Sequence, residues 1–342
     1  MTPEPATGPI TSSAITSSAI TSFAGLIAVV TGGGTGMGRE LTVALATVGC
    51  HVAICDVSQE SMDETISIAG AVSAPGTRLT SFVADVADAA ALDAFAKHVG
   101  DAFGTASINL LFNNAGIAGA GSVVVDDPAQ WDRVFGVCWG GVLNGTRSFM
   151  PMLLACDRGQ VVNTSSINGM WACLGPHGPH TAYSAAKFAV KGFTEALIVD
   201  FRMNAPHLTA AVVMPGHIGT AILRNSFEAS GRDPKHLQDE FIAEVRDSYA
   251  KRGIDLSGAS DEDIRVVVAM RVDGFEHDAP TTAAAAASII LDGVITGEWR
   301  ILVGDDAHAL DKALRATPER AYDVEFTDAL IGQGHYQGLI VE

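Results

Sequence analysis

The feature that most constrains the fold is a glycine-rich turn between an apolar strand and a helix. Residues 26–38 read LIAVVTGGGTGMG, and a helical pattern follows over 39–48. The glycines have the spacing G-x-x-x-G-x-G. Glycine allows a tight turn and close approach to a pyrophosphate, and the free N–H groups of the next helix favour an anion. A glycine cluster alone is usually a plain turn, but in this order it predicts a nucleotide site lined by Gly32, Gly36, Met37 and Gly38.

Three more apolar strands follow, and each ends in polar or small residues. They cover residues 51–55, 79–84 and 108–112, with helical stretches between them. Strands that alternate with helices predict a parallel sheet with helices on both faces, and ligands of such sheets bind beyond the carboxyl ends of the strands. The residues at those ends are Asp56, Asp85 with Val86, and Asn113 with Ala115 and Gly116.

Asp56 bears on the choice of nucleotide. A carboxylate at the end of the second strand accepts hydrogen bonds from the adenosine ribose and repels a 2′-phosphate. No Lys or Arg is next to Asp56 or inside the glycine turn. The sequence therefore favours NAD over NADP, with the alternative that Asp56 only caps the following turn. Asp85 has the same ambiguity, because it could meet an adenine edge or cap the helix that begins near Ala89.

The pair Tyr183 and Lys187 is the strongest candidate for chemistry. Apolar positions predict a helix over 181–203, in which residues four apart lie on the same face. An ammonium close to a phenol stabilises the phenolate and lowers a tyrosine pKa that is ordinarily about 10, so the tyrosine can exchange protons near neutral pH. Ser166, after an apolar strand over 160–164, could hold a substrate oxygen. Alone the spacing is a weak signal, since both residues are commonly solvated helix positions.

Charge and cysteine content exclude several classes of partner. Lys and Arg number 21 against 39 Asp and Glu, a net charge of −18, which disfavours nucleic acid and anionic membrane. No apolar run is long enough for a membrane span, and no basic residue precedes Arg39, so a signal peptide is not predicted. Five cysteines without a C-x-x-C pair or metal-ligand spacing fit reduced thiols and a cytoplasmic protein. His177 and His180 alone are too few ligands for a metal site.

Composition also divides the chain. Residues 1–23 contain the repeat ITSSA and predict a disordered tail. Residues 24–304 hold the strand and helix alternation, which is interrupted over 221–277 by a charged insertion of the kind that covers a substrate. Residues 305–342 form an extension with mixed helical character and no chemical motif.

Taken together, the motifs Thr31-Gly32-x-x-x-Gly36-x-Gly38, Asp56, Asp85, Asn113-Asn114-Ala115-Gly116, Ser166, Tyr183-x-x-x-Lys187 and Pro215-Gly216 make the chain resemble the classical short-chain dehydrogenases/reductases. The resemblance covers about residues 24–225 and extends more loosely to 304. It implies an α/β fold with a single Rossmann-type doubly wound parallel sheet, and bound NAD(P). It also implies hydride transfer between a secondary alcohol and a ketone, in a homodimer or homotetramer packed through the long helices over 131–156 and 181–203.

The resemblance implies a role for each matching residue. Tyr183 is the general acid and base, Lys187 lowers its pKa and holds the nicotinamide ribose, and Ser166 orients the substrate oxygen. On the nucleotide, the glycines line the pyrophosphate, Asp56 binds the adenosine ribose, Asp85 the adenine and Asn113 the neighbouring ribose. The loop with Pro215, Gly216, Ile218 and Thr220 holds the nicotinamide carboxamide.

Three departures from the family pattern matter, one of which is that the tail from about Arg300 differs from the usual ending. Cys138 stands where the family has an asparagine that organises a proton-relaying water, and a thiol is a poor substitute. The loop between Ser166 and Tyr183 is also longer than usual. Its Trp171 and Leu174, together with Phe227 and Trp139, predict an apolar wall and a hydrophobic, cyclic or aromatic substrate.

Three functions therefore compete. The leading hypothesis is an NAD-dependent alcohol dehydrogenase or ketone reductase. A catalytically weak NAD(P)-binding sensor or scaffold is the alternative that Cys138 favours and the intact Ser166, Tyr183 and Lys187 oppose. An epimerase or dehydratase acting on a nucleotide sugar usually has a different glycine spacing and a larger carboxyl-terminal substrate domain, and neither is present.

Overall fold

A seven-stranded parallel sheet forms the centre of the molecule. A computed structural model describes residues 19–119, 121–175, 178–229, 231–234, 236–251 and 255–335. The strand order is β3-β2-β1-β4-β5-β6-β9. Two further short strands, β7 and β8, pair with each other. The strands are β1 Ile27–Thr31, β2 His51–Asp56, β3 Leu79–Val83, β4 Leu110–Asn113, β5 Gly159–Thr164, β6 Leu208–Pro215, β7 Ile218–Gly219, β8 Thr281–Thr282 and β9 Arg300–Val303.

Helices connect the strands. They are α1 Gly36–Thr47, α2 Gln59–Val72, α3 Ala89–Phe103, α4 Pro128–Phe135, α5 Gly141–Leu154, α6 Thr181–Asn204, α7 Ile222–Ala229, α8 Asp239–Lys251, α9 Asp261–His277, α10 Ala283–Thr296, α11 Asp305–Ala316 and α12 Val324–Gly332. A π-helical turn, Gly136–Gly140, joins α4 to α5. Within the described ranges no helix is both long and apolar enough to cross a membrane.

The sheet is covered on both faces, which explains why its strands are continuous apolar runs. Side chains alternate across a strand. Val30 accordingly packs in a cluster with α1, α2 and α10, whereas its neighbour Val29 packs in a second cluster with α3, α5 and α6. Strands of a parallel sheet that is buried on both faces are apolar along their length, and lack the alternation of apolar and polar residues seen in half-exposed sheets. The predicted doubly wound α/β fold is therefore confirmed.

The strand order fixes where a ligand can bind. From β1 the chain runs outward to β2 and β3, and then returns to the other side of β1 to form β4. The loops after β1 and β4 consequently diverge to opposite faces and leave a crevice at the carboxyl ends of these two strands. The glycine turn follows β1, and the Asn113-Asn114-Ala115-Gly116 motif begins with the last residue of β4.

Two residues of the predicted amino-terminal tail are part of the core. Ile20 and Phe23 are buried in the core cluster beside α1, so the predicted disorder over 1–23 is wrong for these two residues. Their apolar side chains pack in the same core cluster as α1 and α10, which a composition dominated by Ser and Thr does not reveal. The repeat over 1–18 and residues 336–342 lie outside the described residues.

Two helical groups stand outside the sheet. The 221–277 insertion forms α7, α8 and α9, which share a small apolar cluster of their own. The extension after β9 forms α11 and α12, whose apolar residues pack with Ile167 and Trp171 from the segment after β5. The sequence assigned this extension no role, and its contacts bring it next to the segment that carries Ser166.

Candidate active site

A cleft opens at the carboxyl ends of β1, β2 and β4, as the strand order requires. Most of the residues predicted for the cofactor line it. They are Gly32, Gly36, Met37, Asp56, Asp85, Val86, Ala115, Gly116 and Thr220. Residues that the sequence did not single out also contribute to its walls, namely Thr35, Val57, Ala84, Asn114, Ile117, Arg133, Val137, Ile222 and Asn225.

The glycine turn is held open by positions that tolerate no side chain. Gly32 and Gly36 have φ values of 66° and 54°, in the left-handed region that favours glycine. At Gly38 an added Cβ would lie 2.0 Å from the carbonyl oxygen of Gly32. Gly38 does not line the cleft, and its role is to let α1 start directly against the turn, with the helix N-terminus facing the cleft.

Asp56 is tied to the same turn. One carboxylate oxygen accepts a hydrogen bond from the Gly34 N–H at 3.0 Å, and the other accepts from the Val57 N–H at 2.8 Å. Both the ribose-binding and the turn-capping interpretations therefore describe part of its geometry, because Asp56 caps the next turn and also faces the cleft.

Arg39 is a cation close to the turn that the sequence analysis did not weigh. Its guanidinium donates to the Gly34 carbonyl at 2.8 Å, to Thr65 at 3.0 Å and to Glu64. These contacts direct the charge toward α2. Arg39 is not among the residues that line the cleft.

Asp85 lies in the cleft wall as half of an ion pair. Its carboxylate is 2.6 Å from Arg133 and also accepts a hydrogen bond from the Ala87 N–H at 2.9 Å. The cap of α3 is Asp88, which accepts from the Ala90 N–H. The capping interpretation of Asp85 is thus wrong for α3, and its contact with adenine stays a prediction.

Asn113 is not where the sequence predicts. Its side chain is 2% exposed and donates to Asn163 at 2.8 Å and to Thr146 at 3.1 Å, which joins β4 to β5 and α5. This buried amide network lies inside the core and not in the cleft. The predicted contact of the Asn113 side chain with a ribose is therefore wrong, and Asn114 lines the cleft in its place.

The structure brings Ser166, Tyr183 and Lys187 together. Ser166 follows β5, and its hydroxyl is close enough to Tyr183, near the start of α6, to influence the pKa of the phenol. The Lys187 ammonium donates to the carbonyl of Thr164, the last residue of β5, at 2.9 Å and lies 5.3 Å from the centre of the Tyr183 ring. A Cβ on the cleft residue Gly116 would be 3.5 Å from the Lys187 Nζ, so the ammonium stands directly behind the cleft wall.

Burial governs the acidity of this group. Desolvation raises the pKa of Tyr183 well above its ordinary value, the neighbouring Cys138 adds to the rise, and the hydrogen bond from Ser166 opposes it. Desolvation also lowers the pKa of Lys187. The predicted lowering of the Tyr183 pKa by the ammonium is thus not seen. With its pKa raised by burial, Tyr183 keeps its proton at neutral pH.

His180 is a neighbour of Tyr183 whose importance the sequence did not reveal. The two rings stack with centroids 4.7 Å apart and an angle of 21°. The imidazole is buried, and its Nδ1 has no hydrogen-bond partner among the described residues. Burial lowers the pKa of His180 to about 4, so the ring is neutral near pH 7. His177, the other histidine of this loop, lies outside the described residues.

Cys138 sits in the π-helical turn between α4 and α5. Its thiol is fully buried and donates to the carbonyl of Ile117 at 3.2 Å. Such turns interrupt an α-helix at a cost and are frequent at functional sites. The contact ties the long helix to the loop after β4, beside Lys187 and Tyr183.

None of the residues predicted for the apolar wall of the substrate site lines the cleft described above. Trp171 is 1% exposed and points into the cluster formed with α11 and α12. Phe227 packs against Phe241 inside the insertion, and Trp139 packs against Phe193 on α6. The wall prediction is therefore wrong for Trp171, which is buried against α11 and α12. For Leu174, Phe227 and Trp139 it stays a prediction, and Trp139 packs against the same small cluster as Tyr183.

The loop after β6 lines the cleft through Thr220. Its first residues are hydrogen-bonded to β9 and α11 instead. The Gly216 N–H donates to the Val303 carbonyl at 2.9 Å, and the His217 N–H donates to Asp306 at 2.6 Å. Pro215, Gly216 and Ile218 do not line the cleft, so their predicted part in carboxamide binding stays a prediction.

Comparison with known proteins agrees with this geometry. The profile of the short chain dehydrogenases matches residues 26–231, which contain the glycine turn, the cleft and the Ser166, Tyr183 and Lys187 group. The chain belongs to this family. Short-chain dehydrogenases are NAD(P)-dependent oxidoreductases, and that coarse activity follows from membership.

Two curated relatives illustrate the range of the family. A Mycobacterium tuberculosis protein named as an oxidoreductase, SadH, is 34% identical over 294 residues, which are 86% of this chain and 91% of the relative. Levodione reductase from Leifsonia aquatica is 32% identical over 222 residues, which are 64% of this chain and 80% of the relative.

Solved structures share the fold and carry either nucleotide. A Burkholderia phymatum short-chain dehydrogenase/reductase in complex with NAD has a TM-score of 0.69 and 24% identity, and covers 88% of this chain and 96% of its own. A metagenomic short-chain oxidoreductase in complex with NADP has a TM-score of 0.51 and 27% identity, over 57% of this chain and 83% of its own.

Proposed function

We propose that this short-chain dehydrogenase uses NAD to interconvert a secondary alcohol and its ketone. The observation that carries the proposal is the contact between Ser166 and Tyr183, with the Lys187 ammonium behind them and next to the cleft residue Gly116. A hydroxyl, a phenol and a cation in one place suit a substrate whose oxygen changes its proton when a neighbouring carbon gains or loses a hydride.

The cleft fits a dinucleotide. Its glycine turn brings backbone N–H groups and a helix N-terminus to the surface, with no side chain at Gly32 or Gly36 to block a pyrophosphate. Bound NAD would supply or accept the hydride. The walls contributed by Ile117, Val137 and Ile222 are apolar and reduce the access of water to it.

Side chains of the protein transfer the proton of the substrate oxygen. Because burial raises its pKa, Tyr183 holds a proton that its hydroxyl can give to a ketone oxygen. When an alcohol is oxidised, the tyrosine oxygen takes the proton of the alcohol. Ser166 offers a second hydroxyl to the same substrate oxygen and fixes its position. The Lys187 cation stabilises the phenolate that remains after the tyrosine has given up its proton.

Asp56 supports NAD rather than NADP. A 2′-phosphate at the adenosine ribose would meet a carboxylate that the Gly34 and Val57 N–H groups hold in the cleft. Arg39, the cation next to the turn, is engaged by the Gly34 carbonyl, Thr65 and Glu64. The repulsion is therefore not offset from that side.

A cyclic or otherwise hydrophobic ketone or alcohol is the proposed substrate. Two relatives act by name on compounds with a ring: a levodione reductase, and a Thauera aromatica dehydrogenase of (2S)-[(R)-hydroxy(phenyl)methyl]succinyl-CoA, whose alcohol is next to a phenyl group. The three helices of the 221–277 insertion are proposed as the substrate lid. Asn225 of α7 donates to Thr35 of the glycine turn at 2.8 Å, so the insertion already reaches across the cleft. A homodimer or homotetramer is proposed with this function.

The test follows the absorbance of reduced nicotinamide with NAD or NADP and a panel of cyclic and aromatic ketones and secondary alcohols. We expect turnover with NAD, a loss of at least about 100-fold in kcat for Tyr183→Phe, and NAD affinity within about twofold of wild type. Asp56→Ser should narrow the preference for NAD over NADP.

Two results would count against the proposal. Full activity of Tyr183→Phe would exclude the tyrosine as the proton donor. Tight NAD binding without turnover of any compound in the panel would favour the sensor function in place of an enzyme.

A further inference from the structure

The carboxyl-terminal segment, defined here as residues 305–333, contacts both sides of the reaction centre. It comprises α11, a short 3₁₀ turn at Pro318–Arg320, and α12. The segment begins two residues after β9, a strand parallel to the others. It therefore starts at the carboxyl ends of the strands, where the cleft also opens. Two buried polar contacts connect it to the rest of the site.

The first contact reaches the loop that carries Ser166. The Trp171 indole N–H donates to the Ala321 carbonyl at 2.7 Å, and its ring lies 6.1 Å from that of Phe326. Asn168 connects this anchor to the serine, because its side chain donates to the Trp171 carbonyl at 2.9 Å while its N–H donates to the Ser166 hydroxyl at 3.1 Å. A continuous set of hydrogen bonds thus runs from the segment to Ser166.

The second contact reaches the loop after β6. Asp306 is 3% exposed, and its carboxylate accepts from the His217 N–H at 2.6 Å and from the Ala307 N–H at 2.9 Å. At Gly216 an added Cβ would lie 2.1 Å from the carboxylate, so the loop backbone rests directly on it. Thr220, three residues after His217, lines the cleft.

Both contacts are directional and not merely apolar. A buried carboxylate costs free energy unless donors surround it, and here the donors are backbone N–H groups of the loop and of α11 itself. A buried indole N–H is likewise costly without an acceptor. An apolar residue of similar size could fill either place, but it would not fix the orientation of the His217 peptide or of the serine loop.

We propose that the carboxyl-terminal segment is a positioning element for the reaction centre, in which Asp306 orients the 215–220 loop on the nicotinamide side and Ala321 orients the serine loop through Trp171. The inference rests on the proposed function, which assigns the nicotinamide and the substrate oxygen to these two loops. Asp306 and Trp171 touch neither nucleotide nor substrate and are positioning residues.

The experiment compares two substitutions that should affect different constants. In Asp306→Asn one of the two acceptor oxygens becomes an NH₂ group that faces an N–H donor. We expect the dissociation constant for NAD, measured by calorimetry without substrate, to rise about tenfold. Asp305→Asn, at the exposed neighbouring position, is the matched control and should stay within twofold of wild type.

Trp171→Phe keeps an aromatic ring but removes the N–H. We expect kcat with a ketone substrate to fall about tenfold or more, because a small displacement of Ser166 misplaces the substrate oxygen, while the NAD dissociation constant changes less than twofold. Melting temperatures are recorded for every variant.

The split between the two constants decides the inference. If each variant changes both kcat and the NAD dissociation constant in proportion to its loss of melting temperature, the segment only stabilises the fold, and the inference is overturned. Unchanged NAD binding in Asp306→Asn, when wild type binds NAD, would overturn it alone. Wild type that binds no dinucleotide would overturn the proposed function as well. If Asp306→Asn does not fold, Trp171→Phe decides by the same criterion.

Discussion

The two edges of the site are built in different ways. The nucleotide edge consists of the glycine turn over 31–38 and Asp56, which are close in sequence, and its shape depends on backbone geometry. The proposed reaction edge consists of Ser166, Tyr183 and Lys187, which come from two elements. Its surroundings are buried side chains, among them His180 stacked on Tyr183, Cys138, and Trp171 bonded to the carboxyl-terminal segment. The nucleotide edge therefore depends on the lack of a side chain at a few glycines. The reaction edge depends on buried side chains and on their contacts with neighbouring residues.

The largest effect is expected at the nucleotide edge. In Gly38→Ala the new Cβ would lie 2.0 Å from the Gly32 carbonyl, and the backbone must move to relieve the clash. We expect NAD binding by calorimetry to weaken about 100-fold or more. Gly70→Ala is the control, because Gly70 lies in α2 with nothing within 4 Å of a Cβ, and it should leave binding unchanged and stabilise the helix slightly. Normal NAD binding by Gly38→Ala would contradict a backbone-determined edge.

An intermediate effect is expected from His180 at the reaction edge. Its pKa is lowered to about 4 in the folded protein, against about 6.5 in the unfolded chain, so the unfolded chain binds the extra proton between these values. The contribution of the neutral imidazole to stability is therefore present above about pH 6.5 and is lost as the pH falls toward 4.

For His180 the measurement is urea unfolding at pH 7 and pH 5. Between these values the His180 contribution falls by about 2 kcal/mol, which follows from the two pKa values. His180→Phe keeps a ring beside Tyr183 and should lose correspondingly less stability than wild type, whereas His308→Phe, at an exposed position on α11, should lose as much as wild type. Equal losses in wild type and His180→Phe would contradict the burial of a neutral imidazole.

The smallest effect is expected at Cys138. A serine hydroxyl can donate to the Ile117 carbonyl as the thiol does, so Cys138→Ser should change kcat by less than about threefold. Cys138→Ala removes the donor and should lower kcat further, by about tenfold, because the buried carbonyl loses its partner. Equal kcat values for the alanine and serine variants would show that the contact with Ile117 does not matter to the reaction edge.

The comparison also explains which parts of the site the sequence predicted. The parallel sheet, the glycine turn, Asp56 and the proximity of Tyr183 to Lys187 depend on local patterns with a known spatial meaning, and the structure has them. The sequence predicts Asn113 and Trp171 at the site, yet Asn113 joins β4 to β5 and α5 inside the core, and Trp171 packs against α11 and α12. The contact of Trp171 with Ala321 and that of His217 with Asp306 join residues far apart in the chain, and no periodicity or spacing encodes such a pair.

The placement of Arg39 has a consequence for how nucleotide preference changes within this fold. The chain already carries a guanidinium one residue beyond the glycine turn, and it is held away from the cleft by the Gly34 carbonyl and by Glu64 on the neighbouring helix. Under the proposed preference for NAD, a switch to the phosphorylated dinucleotide would need no new basic residue. It would need the loss of two acidic residues, Asp56 and Glu64, which would remove a carboxylate from the cleft and a partner from Arg39.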